Sequence, residues 1–303
     1  MGRSGTSNGG VLSRRGAMAL GLLCLTGCSV QDPTLDQGRD LAGESKADPA
    51  PAPSGGGSRT PSPPASPTAS PAADAAHPVE VQAQLSGVEP STWGLNVSGE
   101  MVRLPTRDVA LTFDACGGPT GSGVDEALLE ILREHRVPAT LFLNQRWIQR
   151  HPRLSAELAE DPLFLLASHG ARHVPLSVTG RGSYGIPGTA DIAEVIEEIT
   201  ATDAWFERHT GAPPKYMRPG TAYCDDVSVR AAQSLGRTIA GFTVNGDGGA
   251  TLSADQVART LAAVQPGDIV LAHMNQPTSG TAEGLRQALP MALDRGIEFI
   301  VLP

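Results

Sequence analysis

Basic charge, cysteine and apolar runs beyond the N-terminus are all scarce in this chain of 303 residues. Lys and Arg total 23 against 32 Asp and Glu, giving a formal net charge of −9. A nucleic-acid partner needs clustered cations to meet its phosphates, so the balance argues against that class. Loss of residues 1–27 deepens the acidity, because Arg3, Arg14 and Arg15 leave with no acid. No segment after residue 27 is apolar for long enough to cross a bilayer as a helix. There are 4 cysteines, Cys24, Cys28, Cys116 and Cys224, which is no extended disulfide pattern.

What is present is unevenly spread. Arg14 and Arg15 precede an apolar run over 17–25, too short for an ordinary transmembrane helix and suited to an export signal. Leu25-Thr-Gly-Cys28 resembles the bacterial lipoprotein cleavage box, which implies removal of 1–27 and lipidation of Cys28, with simple secretion as the alternative. Ser13-Arg-Arg-Gly16 resembles a twin-arginine signal, leaving the export route open between the two systems. Residues 28–78 are dominated by Pro, Ala, Ser and Gly, which cannot bury enough apolar surface to offset their ordering entropy. A disordered tether is expected there, with a mean reach of about 40 Å from the square-root scaling of flexible linkers. Residues 79–103 form an N-terminal extension of unassigned structure. The implied location is the outer face of the cell membrane, held by lipid.

From residue 104 to 303, strand-like and helix-like segments alternate. Strands are expected at 109–113, 139–143, 163–167, 215–218, 238–244, 268–272 and 298–302. Helices are expected at 125–135, 191–209, 226–235, 253–264 and 282–295. The second helix repeats apolar residues at 192, 195, 196 and 199, with Gly211 just past its end. Ser253 and Gln256 form a capping box at the start of another. Such alternation predicts an α/β fold with a parallel sheet covered by helices, either a barrel or an open doubly wound sheet.

The chemistry-bearing residues cluster just after these strands. His169 and His173 lie in Ser168-His-Gly-Ala-Arg-His173, and four-residue spacing on one helical turn would aim both imidazoles at one divalent ion. The Glu that a metalloprotease helix places after its first His is absent; Gly170 stands there. Asp114 follows the first strand, Arg218 ends the fourth, Asp247 follows the fifth and His273 the sixth. In parallel α/β architectures the site lies at the carboxyl ends of the strands, so these groups are expected on one rim.

Residues 104–303 resemble a polysaccharide deacetylase of the NodB-homology type, carbohydrate esterase family four. The resemblance is carried by Leu111-Thr-Phe-Asp-Ala-Cys-Gly117, His169-Gly-Ala-Arg-His173, Met217-Arg-Pro-Gly220 with an aromatic at Tyr223, Asp247, and Leu271-Ala-His273. It implies a distorted (β/α) barrel of about seven parallel strands and a metal-dependent hydrolase. That enzyme would remove N-acetyl groups from amino-sugar polysaccharide, peptidoglycan or chitin-like. By resemblance, His169 and His173 hold the metal, zinc foremost among divalent ions, and Asp114 takes a proton from the attacking water. His273 protonates the departing amine, Arg218 holds Asp114, and Asp247 balances the arginine. Tyr223 and, in the glycine-rich loop 178–188, Tyr184 are sugar-stacking candidates.

The pattern breaks at Ala115, where the family has a second Asp as its third metal ligand. Three alternatives follow: Asp114 itself reaches the metal, Cys116 coordinates as a thiolate, or no metal is held and the protein binds glycan without cutting it. Asp114 ranks first, because Cys116 is expected to be engaged in a disulfide with Cys224 from a neighbouring loop in an oxidising setting. An amidase acting on a small non-sugar amide is a further alternative. Oligomeric state is open.

Overall fold

The computed structural model describes residues 75–303. The signal at 1–27, the lipidation call at Cys28 and the tether as far as residue 74 lie outside the described residues. In chain order the described elements are α1 (Pro78–Leu85), β1 (Trp93–Gly94), β2 (Ala110–Ala115), α2 (Glu126–Glu134), β3 (Ala139–Leu143), α3 (Gln145–Arg150), α4 (Pro152–Glu160), β4 (Phe164–Ser168), α5 (Ile192–Thr200), α6 (Asp203–Thr210), β5 (Tyr216–Met217), β6 (Cys224–Asp225), α7 (Asp226–Ser234), β7 (Thr238–Ile239), β8 (Val244–Asn245), α8 (Ala254–Ala262), β9 (Ile269–His273) and α9 (Thr281–Asp294).

Seven strands form one sheet in the order β7-β5-β4-β3-β2-β9-β8, and every pairing is parallel. The outermost strands, β7 and β8, are joined by only residues 240–243. A chain advances at most ~3.3–3.6 Å per residue, so the two edges must approach each other and the sheet must curl. Met101 and Arg103 reinforce this join, bridging to Ala240 and Asp268 respectively. The result is a curled, barrel-like sheet of seven parallel strands, the distorted barrel that the resemblance implied, with its edge strands β7 and β8 not paired to each other.

Strand alternation sorts the side chains into two layers. Leu111, Phe113 and Ala115 of β2 face outward into a core shared with α2, α8 and α9. Ala110 faces inward, into a core with Phe142, Ala167, Tyr216, Ala240 and Ile269. Thr112 and Asp114 share its parity and are buried on the inner side. The helices follow local chemistry: Ser253 and Gln256 make the expected capping box of α8. Gly211, with φ 83°, closes α6 in the left-handed region. Ile192, Val195, Ile196 and Ile199 form the buried stripe of α5.

Several expectations are corrected. The segment 238–244 is two strands on opposite edges, not one. Residues 298–302 form no ladder. Phe299 bridges Val109, and Leu302 donates its N–H to Thr140 Oγ1 at 3.0 Å, closing the lower end of the barrel. The single helix expected over 191–209 breaks into α5 and α6, where buried Thr202 turns its hydroxyl to Ser168 Oγ at 3.0 Å. The tether cannot extend to residue 78, because His77 caps α1 and Pro78 begins it. The extension 79–103 is part of the fold. Val81 is buried against the core that includes Val195 and Val229, and β1 pairs antiparallel with β6.

Candidate active site

Asp114 stands at the carboxyl end of β2, in register with His273 at the end of β9. Arg218 follows β5 and is wholly buried. Its Nη1 donates to Asp114 Oδ1 at 2.8 Å and to Thr112 Oγ1 at 2.9 Å, while Nε and Nη2 donate to the carbonyls of Ala240 and Gly241. The guanidinium lies 4.2 Å from the ring centroid of Phe142. Burial pushes the Asp114 pKa up, but the charges of Arg218, His169 and His273 outweigh it and hold the carboxyl below its usual range.

The partner of Asp247 is His273, not the arginine, which corrects the role expected of it. Asp247 Oδ1 lies 3.0 Å from His273 Nδ1, Oδ2 accepts the His273 backbone N–H at 2.7 Å, and Thr281 Oγ1 donates to Oδ2 at 3.0 Å. A carboxylate facing Nδ1 fixes the ring and favours its charged form. Burial alone would lower the His273 pKa, yet the bonds and charges of Asp247 and Cys116 raise it well above the usual histidine value. Two buried pairs, Arg218–Asp114 and Asp247–His273, therefore face each other across adjacent strands.

His169 and His173 do come together, though not on a helix. Gly170 and His173 have φ of 69° and 62°, both left-handed, so the segment is a loop. It curls around the buried carboxylate of Glu198 on α5, whose Oε1 accepts the backbone N–H groups of Ala171, Arg172 and His173 at 3.0, 2.9 and 3.1 Å. A side chain at residue 170 would collide with that carboxylate, and one at Gly220 would collide with the His173 backbone. Asn144 completes the support, its Nδ2 donating to the carbonyls of His169 and Gly170. His169 Nδ1 lies 2.8 Å from the Arg218 carbonyl, which can only accept, so Nδ1 carries a proton, and Nε2 is left facing Cys116 Sγ and Asp114 Oδ2, each at 3.7 Å. The two rings stand nearly perpendicular, 83°, with centroids 4.8 Å apart.

Cys116 and Cys224 are both free thiols, so the expected disulfide is not formed. They belong to different faces: Cys224 Sγ donates to Glu100 Oε1 at 3.0 Å, while Cys116 Sγ lies 3.7 Å from His169 Nε2. Burial and the Glu100 charge push the Cys224 thiol up. Burial also raises that of Cys116, but the bonds from His169, His173 and His273 more than reverse this and hold it well below the usual thiol value. Among the described residues, Cys116, His169 and His173 offer ligand atoms that all lie within 4.8 Å of one another, and Asp114 is not in that group. Two imidazoles and a sulfur are donors of the kind that zinc and its neighbours accept, so the residues present fit a divalent ion.

A groove of about 450 Å³ opens over these groups, lined by Asp114, Cys116, His169, His173 and His273 below and by Leu95, Tyr184, Ile186 and Phe242 around it. Tyr184 and Gly185, with φ of 52° and 74°, are the central pair of a two-residue turn closed by the Ser183–Ile186 bridge. That turn leaves Tyr184 75% exposed and sets its ring edge-on to Tyr223 at 5.5 Å. Trp93 of β1 adds a third ring, 6.0 Å from Tyr223. The sequence reading missed Trp93, Asn144 and Glu198. The signal for Glu198 was there, a carboxylate three residues from Val195 on the helix stripe that is otherwise apolar.

A curled parallel sheet carrying an acid, a base and paired imidazoles at its carboxyl rim is the arrangement of a barrel hydrolase. Residues 102–240 match the family model for polysaccharide deacetylase. A chitooligosaccharide deacetylase from Bradyrhizobium is 30% identical over 213 residues, which cover 65% of this chain and 90% of that protein. Among solved structures, a peptidoglycan N-acetylglucosamine deacetylase superposes with a TM-score of 0.57 at 23% identity, covering 68% of this chain and 91% of that one. A family 4 pseudoenzyme from Bacillus anthracis gives 0.54 at 24% identity, covering 66% of each. Likeness at those identities speaks for the fold alone. The chain belongs to the polysaccharide deacetylase family, whose enzymes are metal-dependent hydrolases of carbon–nitrogen bonds other than peptide bonds.

Proposed function

We propose that this protein deacetylates N-acetylated amino-sugar glycan at the cell envelope, with peptidoglycan or a chitin-like polymer as substrate and zinc as the ion. The observation that carries the reading is the pair of buried couples, Arg218–Asp114 and Asp247–His273, facing each other in register beside His169 and His173. A divalent ion held by the two imidazoles would polarise the acetamide carbonyl and acidify a water. Asp114, kept ionised by Arg218, takes the proton of the attacking water as its oxygen bonds to the carbonyl carbon. His273, kept protonated by Asp247, gives its proton to the nitrogen as the C–N bond breaks, releasing acetate and a free amine. The rings of Tyr184, Tyr223 and Trp93 offer apolar faces of the kind sugars stack on. An exported, lipid-anchored protein on a flexible tether would meet such polymers at the outer face of the membrane.

Acetate release from N-acetylglucosamine polymers, with zinc supplied, tests the reading. Asp114→Asn should lower the rate by about 10²–10⁴-fold while zinc stays bound. A second reading, a silent glycan-binding protein, is favoured by Ala115, which removes the family's usual ligand. Glycan binding with no acetate release from any such polymer would select it.

A further inference from the structure

Resting on the proposed function only for the presence of a divalent ion, we infer that Cys116 supplies the third ligand as a thiolate. The site is then a one-sulfur, two-nitrogen centre with its remaining position open to water or substrate. The reason Ala115 cannot serve lies in strand parity as well as chemistry. It is fully buried on the outer face of β2, in the core shared with the helices. Alternation returns the chain to the inner side at the next residue, so Cys116 follows Thr112 and Asp114 toward the groove.

Its distance fits a shared ion. Two tetrahedral ligands at the usual zinc–sulfur and zinc–nitrogen lengths lie about 3.6 Å apart, and Cys116 Sγ is 3.7 Å from His169 Nε2. Asp114 is differently placed: Oδ1 is held by Arg218 at 2.8 Å, and although Oδ2 lies 3.7 Å from His169 Nε2, it falls outside the set of mutually close ligand atoms that Cys116 forms with both histidines. Nor is the thiol drawn away: the other described cysteine, Cys224, is turned toward Glu100. The Cys116 backbone is pinned at the peptide that follows it. Arg146 Nη2 donates to its carbonyl at 3.3 Å, and the following turn is closed by Gly117 N–H to the Gly121 carbonyl at 2.8 Å. Asn275 Nδ2 holds that same Gly121 carbonyl at 2.9 Å.

Two consequences follow. Asp114 need not coordinate, so it is free to act as the base. A thiolate in place of a carboxylate also shifts selectivity toward zinc and cobalt and away from magnesium, calcium and manganese.

The test uses the full-length chain, stripped of metal and reloaded with Co(II). A sulfur-to-cobalt charge-transfer band in the near ultraviolet is expected, absent in both Cys116→Ala and Cys116→Asp. Zinc affinity measured by chelator competition should fall in Cys116→Ala by at least ~100-fold, the most that losing a mere hydrogen-bond partner of a ligand costs, with Cys116→Asp recovering part of it. Circular dichroism establishes that each variant is folded. A cobalt-loaded wild type without the band overturns the proposal, as does unchanged zinc affinity in folded Cys116→Ala. The band without any acetate release would leave the ligand set standing and sink the hydrolase reading. Acetate release without the band would do the reverse.

Discussion

At the scale of single residues, the site is a set of buried charges each matched by one partner. His273 is the clearest case, because the position of its pKa decides the pH range in which it can act as an acid. Asp247 favours the protonated ring through Nδ1, so His273 keeps its proton to higher pH than an isolated histidine. Activity should therefore hold through neutrality and fall as pH rises through that elevated pKa. In Asp247→Asn the carboxylate charge is gone and the His273 pKa drops. The alkaline limb of kcat against pH should then move to lower pH, with the maximum rate reduced. A limb that does not move would mean that Asp247 orients the loop but does not tune the acid. The sequence placed Asp247 on the rim but assigned it the wrong partner. Two cations, Arg218 and His273, compete for two carboxylates, and the pairing of β8 with β9 decides between them, because it carries Asp247 to the His273 N–H and ring while Asp114 is left to Arg218. Cys116 was misassigned for a similar reason: counting in twos from Asp114 puts it on the site face, whereas reading loops as neighbours sends it to Cys224.

At the scale of elements, the imidazole pair depends on a helix that does not touch the groove. Three backbone donors of the 171–173 loop converge on Glu198 of α5, with Arg172 Nε adding an ion pair at 3.3 Å. Glu198→Ala would leave these donors unpaired, at about 1–3 kcal/mol for each one that stays buried. The urea midpoint should fall accordingly, and zinc affinity should fall with it as His173 loses its fixed position. Glu198→Gln keeps one carbonyl oxygen at the site and should lie between wild type and Ala on both measures. Equal zinc affinity in all three proteins would show that the loop holds its shape unaided. Elements whose signal is local were legible in sequence: the α8 capping box, the α5 stripe and the central strands β2, β3 and β9, which are short apolar runs. What was not legible depends on closure. Gly241 is the one local sign of a break between 238–239 and 244–245, and their separation onto opposite edges comes from the curl of the sheet. Residues 298–302 have the composition of a strand, but by then the sheet edges are already occupied by β7 and β8.

At the scale of the whole molecule, the question is where the autonomous catalytic unit begins. The family match starts at residue 102 and the sequence pattern at 104, yet the barrel uses residues well before both. Val81 of α1 is buried, β1 zips onto β6, and the segment 101–103 ties the two sheet edges together at Ala240 and Asp268. Arg103 also pairs with Asp268 Oδ1 at 2.9 Å, beside the turn that leads into β9 and His273. A chain lacking residues 1–74 should unfold cooperatively near the full-length midpoint and release acetate from soluble oligomers at an undiminished rate, because no described contact is lost. A chain lacking 1–103 loses α1, β1 and both bridges. Burial of a side chain such as Val81 is alone worth about 1.5–3 kcal/mol, and the gap between β7 and β8 would lose its brace. Its denaturation midpoint should fall sharply, and kcat should fall further than KM rises, because the rim that aligns Asp114 with His273 is what loosens. If the two truncations instead unfold together and turn over alike, the extension is a passive covering and the barrel closes without it.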